Sequence, residues 1–468
     1  MRSIKSYIEV LSKSELLLIH DSALKILEEI GMRVPNETLL AMCQERGCIV
    51  KDGQRLSFPR GVMEGFIEHM RGSSEAVPAG EAQKLAGRIS TQVHLVNPMD
   101  NTRRYGLRED NIKGFQLMEK LGHIPAAGAV VVPSDVPAAI ADAVAVADMY
   151  KHSTKPGNAY TFTTMGAKYI WQMNELLGVK SNYLLESISP LTFKPDTLEM
   201  ALYFAGKGGA LRIAPMAMSA ATAPVTVAGT LALETAEILG SSFLVYVMTG
   251  GFPAFEASCH SADPRTMLCA FGAPNQAFFA AAAAQLARHY GMEGGSNAAL
   301  TDALTPDFQG GFEKGVTAAF AGLSGLSFIG CQGITGADQG FSFEQLVIDN
   351  EWLGYLNYII DGFDVTEETI GFDVIKDVGI AGNFLGEEHT VEHMRGSFWM
   401  SDIFERRGWD NWRKDGGQTI LDRAHAFVEN ATAGYRIAES VLDEAECREI
   451  DKIIDAAYRE ARLERRTP

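Results

Sequence analysis

Several features that identify protein classes at sight are scarce in this chain. The six cysteines, Cys43, Cys48, Cys259, Cys269, Cys331 and Cys447, form no CxxC pair, and six thiols in 468 residues make no disulfide framework. Cations are outnumbered. Against 41 Lys plus Arg stand 59 Asp plus Glu, a formal net charge of −18. That balance argues against nucleic acid and anionic membranes as main partners and is compatible with a cationic substrate. The opening Met-Arg-Ser-Ile-Lys soon meets Glu9, Lys13 and Glu15. No apolar signal-peptide core fits there, so a reducing cytoplasm is the expected setting. A P-loop, a GxGxxG turn after a strand, a GxSxG elbow and an HExxH zinc motif are all missing.

Uncharged runs long enough to span a bilayer occur four times, at 213–233, 238–255, 266–287 and 315–337. Their contents point elsewhere. The first holds Pro215 and Pro224, the second ends in Gly-Gly-Phe-Pro, the third contains Pro274-Asn275-Gln276, and glycines break the fourth. No Lys/Arg asymmetry marks an inner side. A buried strand leading into the apolar face of a helix explains each run better, and no membrane partner is expected.

What is present is a large core-forming capacity: 46% of residues are hydrophobic and 21% charged. The 46 glycines are more than average usage and suit tight strand-to-helix turns. The length is compatible with two or three domains, or with one α/β barrel carrying additions. Apolar residues at helical spacing from Leu16 to Ile30, stopped by Gly31, predict an opening helix. A hairpin is expected around Asp52-Gly53, an amphipathic helix after Pro59, and a surface loop over 72–87. Strands then alternate with helices. Strand candidates lie at 127–132, 159–164, 183–189, 211–216, 243–248, 296–300 and 326–330, with a weak one at 255–258. Helices are expected at 137–150, 165–177, 197–206, 224–239, 277–291, 308–323 and 342–360. This count favours an α/β fold of the TIM (β/α)8 barrel type over an open sheet. It spans 116–365, between an N-terminal α+β segment (1–115) and a C-terminal helical extension (366–468). No helix separates 243–248 from 255–258. The charged helix at 443–465 belongs on the surface or at a subunit contact.

Residues that could carry chemistry are few. His389 and His393, four apart in Glu388-His-Thr-Val-Glu-His393, could share a zinc ion on one helix face. No third ligand is evident, and hydrogen-bonding histidines at a domain contact explain them better. Cys259-His260 follows a strand candidate, but neighbours in sequence point apart, which favours packing over a nucleophile. Glu256 is the only acidic residue between Glu237 and Asp263. A buried acid there must be paired, protonated or facing a cation, although a cap or loop carboxylate reads equally well.

Several collinear strings resemble the trimethylamine methyltransferase family, including its members that lack pyrrolysine and act on quaternary amines. They begin with Ile19-His-Asp-Ser-Ala-Leu-Lys-Ile-Leu-Glu-Glu-Ile-Gly-Met-Arg-Val34 and continue in Thr222-Ala-Pro-Val-Thr-Val-Ala-Gly-Thr-Leu-Ala-Leu233 and Ala284-Gln-Leu-Ala-Arg-His-Tyr-Gly291. Asp307-Phe-Gln-Gly-Gly-Phe-Glu-Lys314, Ser342-Phe-Glu-Gln-Leu-Val-Ile-Asp-Asn-Glu351 and Phe384-Leu-Gly-Glu-Glu-His-Thr390 follow. No single string is diagnostic; their order and spacing across nearly the whole chain are. One departure stands at Pro274-Asn275-Gln276, where the resemblance leads one to expect Pro-Glu.

The resemblance implies a TIM barrel that moves a methyl group from a betaine such as glycine betaine to cobalt. The acceptor is cobalamin (a corrinoid) carried by a partner protein. The methanogenesis-related family and a homo-oligomeric state come with it. Such chemistry fits the missing motifs, because a quaternary ammonium leaves as a neutral amine and the corrinoid is the nucleophile. The protein would align the reactants and stabilise the cation. Aromatic candidates near strand ends are Phe162, Phe193, Tyr246, Phe252, Phe255 and Phe341, each of which could equally be core. Glu256 and Asp338 are candidate counter-charges, and Asn297, Gln332 and His389 could orient the far end of the substrate. No catalytic residue is assigned. A tertiary amine or other onium donor, and a barrel that binds a betaine without catalysing, stay open as alternatives.

Overall fold

A computed structural model describes residues 6–73, 84–157, 160–433 and 442–464. The opening helix Lys13–Lys25 starts with a capping box, in which Ser12 Oγ accepts the Glu15 N–H and the Glu15 carboxylate accepts the Ser12 N–H. It runs on through a wider turn, Ile26–Ile30, to Gly31 at φ +79°. A Cβ at Gly31 would lie 2.3 Å from the Leu56 carbonyl oxygen, so only glycine ends the helix this way. The hairpin Ile49–Lys51 and Arg55–Ser57 turns where expected, on Asp52 and Gly53, both with positive φ.

Parallel strands form the centre. One sheet runs in the order Phe255–Ala257, Gly294–Ser296, Phe328–Cys331, Ala86–Arg88, with every pair parallel. A second pairs Asn182–Leu185 with Ala210–Ile213, also parallel. Isolated parallel bridges join Gln92 to Val131 and Ala127 to Pro156. The helices Pro195–Gly206, Asn275–Tyr290 and Phe308–Leu323 each link two of these strands. The architecture is mixed α/β with parallel strands and crossover helices.

Two differences from the sequence expectation matter. The run 243–248 is not a strand; it is the second half of the helix Val227–Thr249. That removes the puzzle of a missing helix before 255. Its place among the parallel strands is taken by Ala86–Arg88, which falls at the end of the expected surface loop. The candidate at 127–132 forms only isolated bridges, and that at 159–164 has part of its length outside the described residues and runs into the helix Thr164–Leu177.

The helix Val227–Thr249 is long and apolar enough to cross a membrane by length and composition, yet 89% of its most apolar stretch is buried in the fold. Two acids tie it to the sheets. Glu234 accepts the N–H groups of Ala217 and Ser258, and Glu237 accepts Leu191 N–H and Ser189 Oγ–H. Burial pushes both carboxyls above their usual range. Glu234 thereby fixes the segments just beyond Ala210–Ile213 and Phe255–Ala257, and Glu237 the one beyond Asn182–Leu185.

A second buried anchor is dry. Lys314 and Asp349 pair at 2.9 Å with neither side chain exposed. Asp349 also accepts Gly333 N–H, the Gln345 amide and the Trp352 indole N–H. Every face of this carboxylate is occupied by a donor, which is the condition for burying a charge. Near the C-terminus, Glu444–Glu464 packs on Ala141–His152 and Thr164–Leu177 through the buried Ile450 and Ala457. In contrast, no residue of 361–400 is buried.

Candidate functional site

A cavity of about 670 Å³ opens where the parallel strands end at their carboxyl termini. Its walls come from 88–93, 182–189, 212–216, 256–258, 296–300 and 328–338. Strand alternation explains the inward residues. In Phe255-Glu256-Ala257 the outer two bury against helices, with Phe255 stacked on Tyr290 at 5.9 Å, while Glu256 points into the cavity. Likewise Arg212 points in between the buried Leu211 and Ile213.

Two arginines meet at Glu256. Arg212 donates from Nε (3.1 Å) and Nη2 (2.9 Å to each oxygen), and Arg88 donates from Nη1 at 2.8 Å. The Arg88 strand lies three places from the Glu256 strand in its sheet. At about 4.8 Å per strand, a direct ion pair between them requires the sheet to curve round a common interior. Arg88 also lies 3.3 Å over the face of Phe328. That ring in turn needs Gly295, where a Cβ would sit 1.6 Å from the ring. Glycine, aromatic ring and guanidinium are thus stacked in layers, which fixes Arg88. Two guanidiniums thus share the Glu256 carboxylate at the cavity wall.

Acidic groups face the cavity from other loops. Asp338 follows a turn in which Gly336, Ala337 and Asp338 all have φ between 54° and 64°. Non-glycine residues rarely adopt this, and the strain marks a turn held by its surroundings. Asp338 accepts from Gln92 Nε2 at 2.9 Å, and burial raises its carboxyl to a pKa of about 6. Glu186, just past Asn182–Leu185, accepts the Tyr160 hydroxyl, and burial raises its carboxyl too. Burial and the Glu186 charge together push the Tyr160 phenol up. Asp142 accepts the N–H groups of Phe162 and Thr163 and so fixes the loop behind Tyr160. Among the described residues the lining holds Arg88, Lys194 and Arg212 against Glu186, Glu256 and Asp338.

The candidates from sequence separate cleanly. Glu256, Asn297 and Asp338 line the cavity. Phe162 stacks on Tyr160, a lining residue, at 6.0 Å. Gln332 is fully buried, its Nε2 donating to the Gly330 carbonyl and its Oε1 without a partner among the described residues. Phe193, Phe255 and Phe341 are core. Tyr246 and Phe252 stack on each other and on Phe66, at the carboxyl end of the helix Val227–Thr249 and away from the lining. His389 lies on the helix Glu388–Ser397, beside His393 and bonded to the Glu368 carbonyl. Among the described residues no three potential ligands gather to hold a metal ion. Among the described residues the lining aromatics are Tyr160 and Phe328, and Arg88 covers the face of Phe328, so they form no aromatic cage. Sequence reasoning missed Arg88, Arg212, Tyr160 and Glu186. The available signal was a charged residue inside an apolar strand, as in Leu211-Arg212-Ile213.

A polar cavity at the carboxyl ends of parallel strands, with charges of both signs aimed inward, defines an α/β enzyme for a small molecule. The family model for trimethylamine methyltransferase (MTTB) matches residues 1–462, and the chain belongs to that family of methyltransferases. It is 28% identical over 451 residues to the glycine betaine methyltransferase of Desulfitobacterium hafniense strain Y51, covering 91% of this chain and 92% of that one. It is 26% identical to the trimethylamine methyltransferase MttB of D. hafniense strain DSM 10664 / DCB-2, covering 90% and 89%. The monomethylamine methyltransferase MtmB of Methanosarcina barkeri, a solved structure, aligns at a TM-score of 0.44 and 10% identity, covering 92% of this chain and 96% of that one.

Proposed function

We propose that the chain demethylates a quaternary amine of the betaine type, passing the methyl group to the Co(I) of a corrinoid held by a partner protein. The observation that carries this reading is a polar cavity at the carboxyl ends of the strands that presents the carboxylates of Glu186 and Asp338 together with the Arg88–Glu256–Arg212 cluster. A reduced corrinoid supplies a nucleophile strong enough to take a methyl group from nitrogen. The chain's own residues fit a donor site served from outside. Among the described lining residues there is no cysteine or histidine, and the thiols of Cys48 and Cys259 lie in the interior, pushed up by burial, that of Cys48 to about 12. The protein's part is to hold the donor with its methyl groups toward the mouth and to balance its charge. Glu186, held by Tyr160, and Asp338, held by Gln92, are the groups we assign to the ammonium.

The ion pairs that join the Arg88, Glu256 and Arg212 strands across the interior support a closed (β/α)8 barrel over 116–365, with Ala86–Arg88 reaching in from the 1–115 segment. The extension 366–468 supports a homo-oligomer. Phe372, Ile375, Leu385, Val391 and Phe398 are all at least half exposed on a stretch with no buried residue, a density that subunit contacts cover. The reducing cytoplasm is carried over as part of this reading.

Anaerobic Co(I) cobalamin, mixed with the full chain and glycine betaine, carnitine, choline or trimethylamine, tests the activity. Loss of the Co(I) absorption band with a betaine is the expected result. One observation favours a second reading. A tertiary amine leaves as a poorer group and needs a proton, and Asp338, raised to about 6, could give one. Band loss with trimethylamine alone would select it.

A further inference from the structure

We propose that Asp142 is a positioning residue for the cavity: by holding residues 162 and 163 it sets Tyr160 against Glu186, a carboxylate assigned to the donor cation. The proposal rests on the reading of Glu186 as an ammonium-facing group and adds what keeps that group in place.

Local sequence builds the contact. Asp142 lies in the first turn of the helix Ala141–His152, and its carboxylate meets the start of a second helix, Thr164–Leu177. One oxygen accepts Phe162 N–H at 3.0 Å and Thr163 N–H at 2.9 Å, and the other lies 2.8 Å from Thr163 Oγ. Thr163 Oγ in turn accepts Gly166 N–H at 2.8 Å and so caps the second helix. A Cβ on Gly166 would stand 1.8 Å from Asp142 Oδ1. The room for this carboxylate is therefore made by a glycine in the first turn of a helix, where glycine is a poor helix former.

A carboxylate has reason to avoid this position. Asp142 is 2% exposed, and among the described residues no Lys or Arg pairs with it. N–H groups at two helix starts stand in for a cation. Burial still pushes the acid above its usual range. Such a group is tolerated because its donors are all in place, and what those donors hold is a loop at the cavity wall.

From that anchor the loop reaches the cavity within two residues. Phe162 stacks on Tyr160 with ring centres 6.0 Å and planes 28° apart, and the Tyr160 hydroxyl donates to Glu186. No other described residue hydrogen-bonds the Glu186 carboxylate. Burial raises that carboxyl, while the Tyr160 bond and the Lys194 charge oppose the rise. A freed Tyr160 would leave Glu186 unoriented and harder to ionise. Asp142, which lines no part of the cavity, thus governs a charge that does.

The test is calorimetric titration of the full chain with choline, a cation without a titrating group in the working range, arranged as a double-mutant cycle. Tyr160→Phe and Asp142→Asn should each weaken binding about fivefold, the scale of one hydrogen bond. The double variant should bind no more weakly than either single one, because both act through the same bond. Gly166→Ala reaches the contact without touching its partners: alanine suits the helix, but its Cβ displaces the carboxylate. It should also lose about fivefold, and nothing further when combined with Tyr160→Phe, which completes the cycle if Asp142→Asn does not fold. Losses that multiply to about 25-fold in the double variants overturn the proposal, by showing independent structural effects. Wild-type affinity in Gly166→Ala or Asp142→Asn overturns it too. Absence of choline binding by wild type overturns the reading of Glu186 and the proposal with it. The expected cycle without loss of the Co(I) band supports the positioning role and overturns methyl transfer alone.

Discussion

Two ion clusters occupy the interior, and they solve opposite problems. Lys314–Asp349 is dry and closed: neither side chain is exposed, and Asp349 has four donors from Lys314, Gly333, Gln345 and Trp352. Arg88–Glu256–Arg212 is open to the cavity, its arginine side chains keeping 35% and 29% of their surface. The first holds the turn at Gly333 that leads to Asp338; the second keeps its charges within reach of water. A cluster closed by donors on every side can only hold the fold, whereas one open to a cavity can also respond to what enters it.

The largest effect should come from breaking the closed cluster. Asp349→Ala leaves Lys314 charged and unpaired in a dry core, which costs about 3–5 kcal/mol. Urea denaturation should show a much lower midpoint, and a midpoint within experimental error of wild type would contradict the pairing. Asp349→Asn keeps the shape but not the charge and should also be destabilised.

Glu256→Ala should cost less, about 2–3 kcal/mol, because the freed arginines keep access to water in the cavity. Here the informative readout is ligand rescue. Glycine betaine or acetate, by occupying the vacated charge, should raise the denaturation midpoint of Glu256→Ala more than that of wild type. The dry cluster offers no such rescue, so an equal response of the two proteins would erase the distinction drawn between them. Smaller again is Glu186→Gln, which removes one of the two cavity charges we assign to the ammonium. Affinity for both betaine and choline should fall about tenfold, with fold stability little changed, because the Tyr160 hydroxyl keeps an acceptor.

How far these clusters could be read from the sequence differs in the same way. Helical periodicity and caps placed Phe308–Leu323 and Phe343–Asp361 to within a residue, and with them Lys314 and Asp349. Pairing between them is a tertiary fact with no sequence pattern. Glu256 was legible as a lone acid in an apolar stretch, but its arginines were not. Arg212 belongs to a four-residue strand, and Arg88 to three residues, Ala-Gly-Arg, too short for any alternation to register. The error at 243–248 has the same origin. Phe-Leu-Val-Tyr-Val-Met is rich in strand formers, and a short apolar run does not distinguish a strand from a buried helix. In the structure 243–248 continues the helix Val227–Thr249 with Phe243, Leu244, Val245 and Val247 buried. Aromatic residues misled for a related reason: strand-end position does not say which face a ring takes, and Phe193, Phe255 and Phe341 took the core.

The finest test of the comparison is a pH profile, because the open site carries an acid that titrates near neutrality. Asp338 is raised from 3.8 to about 6 by burial, against the opposing pull of the Gln92 amide and the Lys314 charge. An acid whose folded pKa is raised binds its proton more tightly in the native state. Its effect on stability is therefore absent below about pH 4 and unfavourable above 6, so stability falls as pH rises between them. Cation binding runs the other way, since only the ionised carboxylate attracts an ammonium. Affinity for choline, which has no titrating group in this range, should rise about tenfold from pH 5 to pH 7 and level off above it. Asp338→Asn should remove most of that rise, leaving the smaller contribution of Glu186, and should gain stability at pH 7 relative to wild type. A profile in Asp338→Asn as steep as that of wild type would place the titrating group elsewhere.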